Sequence, residues 1–206
     1  MIFWQDFVSS RKLESLVSQE KLFLGDSDTV LGLFAPATLG GYISLNKLKG
    51  RSEKAYIVLI NSKKDIKKYA ESFKNTQIEK ILTACWPGPL TVIFKARMGL
   101  PEFLQKQSTI ALRVPGHQEL RNLLAITGPL FSTSANKSGC PVPETLESVD
   151  QEILTMCELI VCNKHSLATI TPSTIVDFSD PEEGKELKII REGAISTIDL
   201  QNLWNS

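Results

Sequence analysis

Residues 128–139, Gly-Pro-Leu-Phe-Ser-Thr-Ser-Ala-Asn-Lys-Ser-Gly, constrain what this chain can fold into more than any other stretch. The run opens as an apolar strand and ends as a loop in which Ser132, Thr133, Ser134, Asn136 and Ser138 crowd together. Such residues build helices and strands poorly, because their hydroxyls and amides compete for backbone groups. Following a buried strand, they predict a loop whose first residues face an interior cleft. Small hydroxyls and backbone N–H groups at a strand end suit phosphate or carboxylate oxygens. Taken alone, the same run also suits an ordinary strand-to-helix turn with Ser and Asn as caps.

The 206 residues suit one domain spanning 1–206, and 42% hydrophobic with 22% charged residues is a globular composition. The formal net charge is zero, so there is no global pull toward nucleic acid or membrane, and any anion site must be a local cluster. The amino terminus, Met1-Ile2-Phe3-Trp4-Gln5-Asp6, lacks the pattern of a signal peptide, and no stretch approaches the ~18 apolar residues of a membrane span. Cys85, Cys140, Cys157 and Cys162 show no Cys-x-x-Cys spacing, and with only His117 and His165 beside them no metal site is expected. Free thiols in a reducing cytoplasm are the simplest reading.

Taken in order, apolar periodicity predicts a helix over 9–19 with Leu13, Leu16 and Val17 inward, and a short strand over 21–24. The polar turn Gly25-Asp26-Ser27-Asp28-Thr29 is a second candidate site loop, or a capped turn. A helix opens at Gly40-Gly41 and ends near Gly50, and a basic cluster of Lys47, Lys49, Arg51 and Lys54 leads into a strand over 56–60. Cations at such a junction either form a solvated face or converge on phosphates. Ser62 caps a basic helix to about 70, and Thr76-Gln77-Ile78-Glu79 reads as a capping box for a helix burying Ile78, Ile81, Leu82 and Cys85. Strands follow over 90–95 and 109–114. Arg113 alternates with Leu112 and Val114; on a covered face it would need an anionic partner, and on an open face none. A helix over 117–127 buries Leu120, Leu123 and Leu124, with His117 at its start as a cap or a surface residue rather than a catalyst. Beyond the central stretch come a helix from about 145, strands over 158–162, 172–177 and 188–191, a solvated acidic hairpin or loop over 180–186, and a last helix capped by Thr197. Strands mixed with short helices argue a single α/β (α+β) domain with a large twisted sheet.

The common nucleotide signatures, Gly-x-x-x-x-Gly-Lys-[Ser/Thr] and Gly-x-Gly-x-x-Gly, do not occur, nor does Gly-x-Ser-x-Gly. Ser134-Ala135-Asn136-Lys137 matches Ser-x-x-Lys but lacks the companion motifs of penicillin-recognising enzymes. Chemistry by positioning and electrostatics fits better than covalent catalysis.

Seven motifs become specific in combination: Ser27-Asp28-Thr29-Val30-Leu31-Gly32-Leu33, Lys49-Gly50-Arg51, Trp86-Pro87-Gly88-Pro89-Leu90-Thr91, Leu112-Arg113-Val114-Pro115-Gly116-His117, Ser132-Thr133-Ser134-Ala135-Asn136-Lys137-Ser138-Gly139, Pro172-Ser173-Thr174-Ile175-Val176-Asp177 and Arg191-Glu192-Gly193-Ala194-Ile195. In this order the chain resembles the YrdC-like family of threonylcarbamoyl-AMP synthases, over about 21–195, in its short form. The resemblance implies a twisted mixed sheet with flanking helices and a concave basic face. It implies a cytoplasmic nucleotidyltransferase that joins L-threonine, bicarbonate and ATP into threonylcarbamoyl-AMP, releasing pyrophosphate, for a tRNA-modifying transferase complex.

The same resemblance implies Lys49, Arg51 and Arg113 as catalytic residues. Ser27, Arg113, Ser132 and Ser173 would bind L-threonine; Lys49, Arg51, Lys54, Thr109, Ser134, Asn136 and Arg191 would bind ATP, with Mg²⁺ carried on the phosphates. The chain departs from the family in having Asp26-Ser27 for Pro-Thr, Leu31 for a frequent tyrosine, and one residue fewer between Arg51 and Lys54. Asp26 is expected to add negative charge near the carboxylate site. The competing reading is a non-catalytic RNA-binding module using the basic face, which needs Lys49, Arg51 and Arg191 but neither Ser27 nor Ser173.

Overall fold

The computed structural model describes residues 1–50, 55–163, 171–180 and 186–206. Among these residues ten strands form one sheet: β1 (Ile2–Phe3), β2 (Phe23–Gly25), β3 (Gly32–Pro36), β4 (Ile57–Leu59), β5 (Leu90–Lys95), β6 (Thr109–Arg113), β7 (Leu130–Ser134), β8 (Leu159–Cys162), β9 (Thr174–Phe178) and β10 (Lys188–Arg191). Their spatial order is β1-β8-β2-β3-β7-β4-β6-β5-β9-β10. Pairs β1/β8, β2/β8, β4/β6 and β5/β9 are parallel and the other five antiparallel, so the sheet is mixed, as the sequence predicts.

Among the described residues seven α-helices flank it: α1 (Phe7–Ser18), α2 (Leu39–Lys49), α3 (Ile66–Tyr69), α4 (Thr76–Cys85), α5 (Gln118–Thr127), α6 (Gln151–Met156) and α7 (Thr197–Asn205). Strand alternation divides the apolar residues between two cores. Leu24, Leu33, Val58 and Phe131 point to one face, packed with Leu45 and Leu48 of α2, Ile78, Ile81 and Leu82 of α4, and Leu200 of α7. Their neighbours Phe23, Phe34, Leu59 and Leu130 point to the other, under Leu13, Leu16 and Val17 of α1 and Leu120, Leu123 and Leu124 of α5. Sheets buried on both faces read as near-continuous apolar runs, and β2 to β4 do.

Several helix starts differ from expectation. Asn75, not Thr76, caps α4, its Oδ1 accepting from Ile78 N at 3.0 Å. Ser196, not Thr197, caps α7 by accepting from Asp199 N. In both cases the hydroxyl with the right spacing sits one residue inside the helix, where it cannot reach back to the N–H groups that need it. The helix expected from 145 is a single 3₁₀ turn over Leu146–Ser148, and α6 begins afresh behind Asp150. The helix behind Ser62 likewise starts with a 3₁₀ turn before α3. His117 does cap α5, Nδ1 accepting from Leu120 N. Cys85, expected inward, is half-buried, and all four cysteines are free thiols. Of the acidic run, 181–185 lie outside the described residues; it joins the antiparallel pair β9 and β10. Among the described residues no helix is long and apolar enough to cross a membrane.

Candidate active site

The second face of the sheet is only partly covered. Along β7 the positions Leu130, Ser132 and Ser134 share that face; Leu130 is buried in the core, whereas both serines line a cavity of about 310 Å³. Register extends the contrast across neighbouring strands. Gly32 pairs with Ser134 and Ile57 with Ser132, and both Gly32 and Ile57 line the cavity. Arg113 stands opposite Leu59 at the end of β6, and its side chain reaches the same hollow. Thr29, Pro172, Ser173, Ile175 and Arg191 add to the wall, beside the apolar Val30, Ala55 and Val142. A face that is apolar under the helices thus becomes hydroxyl-rich and cationic beyond them.

Arg113 is 4% exposed, so its charge needs a partner within the protein. Nε donates to Gly88 O at 3.1 Å and Nη1 to Thr29 Oγ1 at 2.9 Å. Nη2 lies 2.8 Å from Asp28 Oδ1, yet neither atom makes an aligned hydrogen bond. Asp28 is itself fixed by accepting from Gly116 N at 2.8 Å. Burial pushes the guanidinium below the ordinary arginine value, and the Asp28 carboxylate pulls it back up. The anionic partner that the sequence demands of a covered Arg113 is therefore Asp28. Asp26, the expected source of negative charge, is turned away: it accepts from Trp4 Nε1 and Asn163 N, both at 2.8 Å.

Arg191, at the end of β10, lines the same cavity and is exposed. Its Nη2 donates to Ser173 O at 2.7 Å and to Ser173 Oγ at 3.3 Å, and Nε donates to the same carbonyl. Its pKa is lowered by partial burial and then by the positive charge of Arg113. Two guanidinium groups thus line one cavity, an arrangement suited to anions. The junction is tight because Gly193 packs on the strand entry; a Cβ there would meet Pro172 O at 2.3 Å. Thr174 Oγ1 pins this turn, donating to Ile195 O at 2.6 Å and accepting from Gly193 N and Ile195 N.

Of the expected threonine-binding residues, Arg113, Ser132 and Ser173 line the cavity together. Ser27 stands one hydroxyl behind it, with Oγ 3.2 Å from Thr29 Oγ1. Of the expected ATP-binding residues, Ser134 and Arg191 are in the wall. Asn136 lines an adjacent hollow of about 510 Å³ that shares Val142 with the first. Lys49 is 3% exposed and turned onto the loop after β7, where Nζ donates to Ser134 O at 2.8 Å and to Asn136 O and Oδ1. It braces that loop. Thr109 lies apart, at the start of the strand that Arg113 ends, and its hydroxyl donates to Lys106 O at 2.7 Å. Its predecessors Lys106, Gln107 and Ser108 line a larger hollow of about 860 Å³, which shares Ala55 with the cavity. Arg51 and Lys54 lie outside the described residues. Sequence reasoning passed over Asp28, Thr29 and Gly193, although all three stand inside quoted motifs. The lining carries no carboxylate, and no group of three or more His, Cys, Asp or Glu suited to a metal occurs among the described residues.

Comparison with known proteins places this geometry in context. The Sua5/YciO/YrdC family, described as telomere recombination, matches residues 15–193. The chain belongs to this family. A Methanocaldococcus jannaschii relative, named provisionally as a threonylcarbamoyl-AMP synthase, is 31% identical over 189 residues, covering 89% of this chain and 84% of the relative. The threonylcarbamoyl-AMP synthase of Pseudomonas putida (strain GB-1) is 34% identical over 116 residues, 55% of this chain and 62% of its own length. Among solved structures, Pyrococcus abyssi Sua5 complexed with L-threonine superposes with a TM-score of 0.84 at 23% identity. That match covers 96% of this chain and 58% of the other, and at this identity it establishes the shared fold.

Proposed function

We propose that the protein is a threonylcarbamoyl-AMP synthase, an adenylyl-transferring enzyme of tRNA processing. It takes L-threonine, bicarbonate and ATP to threonylcarbamoyl-AMP and pyrophosphate, and hands the product to a tRNA-modifying transferase complex. The observation that carries the reading is the pair Arg113 and Arg191 facing one cavity among Ser132, Ser134 and Ser173. The names of the curated relatives and of the threonine-bound structure support it.

In this reading the threonine carboxylate meets Arg113, whose guanidinium Gly88, Thr29 and Asp28 hold in the cavity wall. A charge-assisted hydrogen bond there contributes about 1.5–3 kcal/mol. Ser132 and Ser173 hold the remaining polar groups, with Ser27 acting through Thr29. The amino group takes up carbon dioxide as a carbamate, water leaving from the bicarbonate. A carbamate oxygen then attacks the α-phosphorus of ATP in line, the bond to the bridging oxygen breaks, and pyrophosphate departs. ATP occupies the adjoining hollows, its phosphates facing Ser134, Asn136 and Arg191, with Arg51 and Lys54 adding cations from the basic cluster. Mg²⁺ would be carried on the ATP phosphates, where it would neutralise charge on the leaving pyrophosphate. Fixed donors and cations stabilise the charge moving to the leaving group, and alignment supplies the rest. The test is pyrophosphate release by the purified protein: it is expected only with threonine and bicarbonate both present, and release indifferent to threonine overturns the reading.

A further inference from the structure

Thr91 is a buried threonine that the site does not use directly. It is 0% exposed, stands on β5, and does not line the cavity. Its register partner is Ile175, a cavity residue, so its side chain rises on the face that carries the site. Oγ1 lies 2.8 Å from Ser173 Oγ, and among the described residues this is its hydrogen-bond partner.

The direction of that bond follows from counting protons. A serine or threonine hydroxyl has one proton and two lone pairs. Were Ser173 the donor, the Thr91 proton would be sealed in the interior with no acceptor, which is costly. Thr91 therefore donates to Ser173. Arg191 Nη2 donates to the same oxygen at 3.3 Å. Both lone pairs of Ser173 Oγ are then taken, and its single proton is left for the cavity that Ser173 lines.

We infer that Thr91 is a positioning residue that makes Ser173 a hydrogen-bond donor only, selecting for an acceptor oxygen on the bound amino acid and against an ammonium or amide N–H at that point. The inference rests on the reading of the cavity as the amino-acid site. It gives the Trp86-Pro87-Gly88-Pro89-Leu90-Thr91 motif a part in recognition: Gly88 O holds Arg113, and Thr91 three residues later sets Ser173.

Thr91→Val keeps the shape and removes the hydroxyl, freeing one lone pair of Ser173. The KM for L-threonine is expected to rise about fivefold to tenfold, matching one neutral hydrogen bond of about 1–1.4 kcal/mol. The KM for ATP and kcat are expected to stay within about twofold, and Thr91→Ser to restore the KM for threonine, because both effects run through one hydroxyl. An unchanged KM for threonine in Thr91→Val, an equal rise in both KM values, or failure of Thr91→Ser to restore it overturns the proposal alone. An unaltered protein that shows no threonine dependence overturns the reading of the cavity first. Should Thr91→Val fail to fold, a neutron structure of the unaltered protein decides the point. A deuteron on Thr91 Oγ1 directed at Ser173 Oγ supports the proposal, and the reverse overturns it.

Discussion

Leu130 and Ser134 belong to the same strand and point to the same face, yet one is sealed beneath α1 and α5 and the other looks into a cavity. The covered half holds Phe34, Leu59 and Leu130, and its stability comes from apolar area removed from water. The open half carries Gly32, Ser132, Ser134 and Arg113 on the same strands or beside them. Its groups are held by bonds to neighbours, and the arrangement leaves like charges lining one cavity. A sheet face can therefore be foundation over half its length and recognition surface over the rest, with the boundary set by where the helices stop.

The largest expected effect breaks both halves at once. Arg113→Ala should abolish threonine-dependent pyrophosphate release and also destabilise the fold by about 3–5 kcal/mol, because Asp28 is left without its cation. Adding Asp28→Asn should recover much of the denaturation midpoint and none of the activity; joint recovery would show that Arg113 serves structure only. Next comes the covered half by itself. Phe34→Ala should cost about 3–5 kcal/mol in chemical denaturation while leaving the KM for threonine near its original value in the folded fraction.

Arg191→Ala addresses the open half by itself. It should lower kcat/KM by about 10- to 150-fold, the equivalent of one charge-assisted bond of 1.5–3 kcal/mol, with little change in melting temperature because the side chain is exposed. A large loss of stability would erase the distinction between the halves. The smallest effect concerns the hairpin bearing Arg191. Burial tends to raise the Asp177 pKa, but hydrogen bonds from Lys188 and Ser179 outweigh it and hold the group below the ordinary aspartate value. A depressed folded pKa contributes stability that is complete above the unfolded value and is lost as pH falls through the folded one. Asp177→Asn should therefore leave stability at acid pH almost unchanged while removing under about 1 kcal/mol near neutrality. Denaturation curves at pH 7 and pH 3 measure the difference.

The sequence carries the sheet well because its signals are local: runs such as Leu90-Thr91-Val92-Ile93-Phe94 declare a strand wherever it lands. It also shows that a covered Arg113 needs an acid. It does not show which acid, since Asp26 and Asp28 lie two residues apart and only the turn between β2 and β3 decides that one faces Trp4 and the other Arg113. Lys49 reads as a phosphate ligand by its place in a basic cluster, and its turn onto Ser134 O depends on a contact across 85 positions. Helix caps slip by one residue at Thr76 and Thr197 because a neighbouring Asn or Ser competes for the same N–H groups. Thr109 shares a strand with Arg113, but about 3.4 Å of rise per residue carries it to the far end.

The first strand has one further bearing. Ile2 and Phe3 pair with Val161 and Cys162, and Trp4 reaches back to Asp26 in the turn that also bears Asp28. During translation β1 must wait for β8, far along the chain, before it finds its place. Assembly of the hollow is thus a late event in biosynthesis, and ribosome-bound chains halted before residue 159 should not capture ligand.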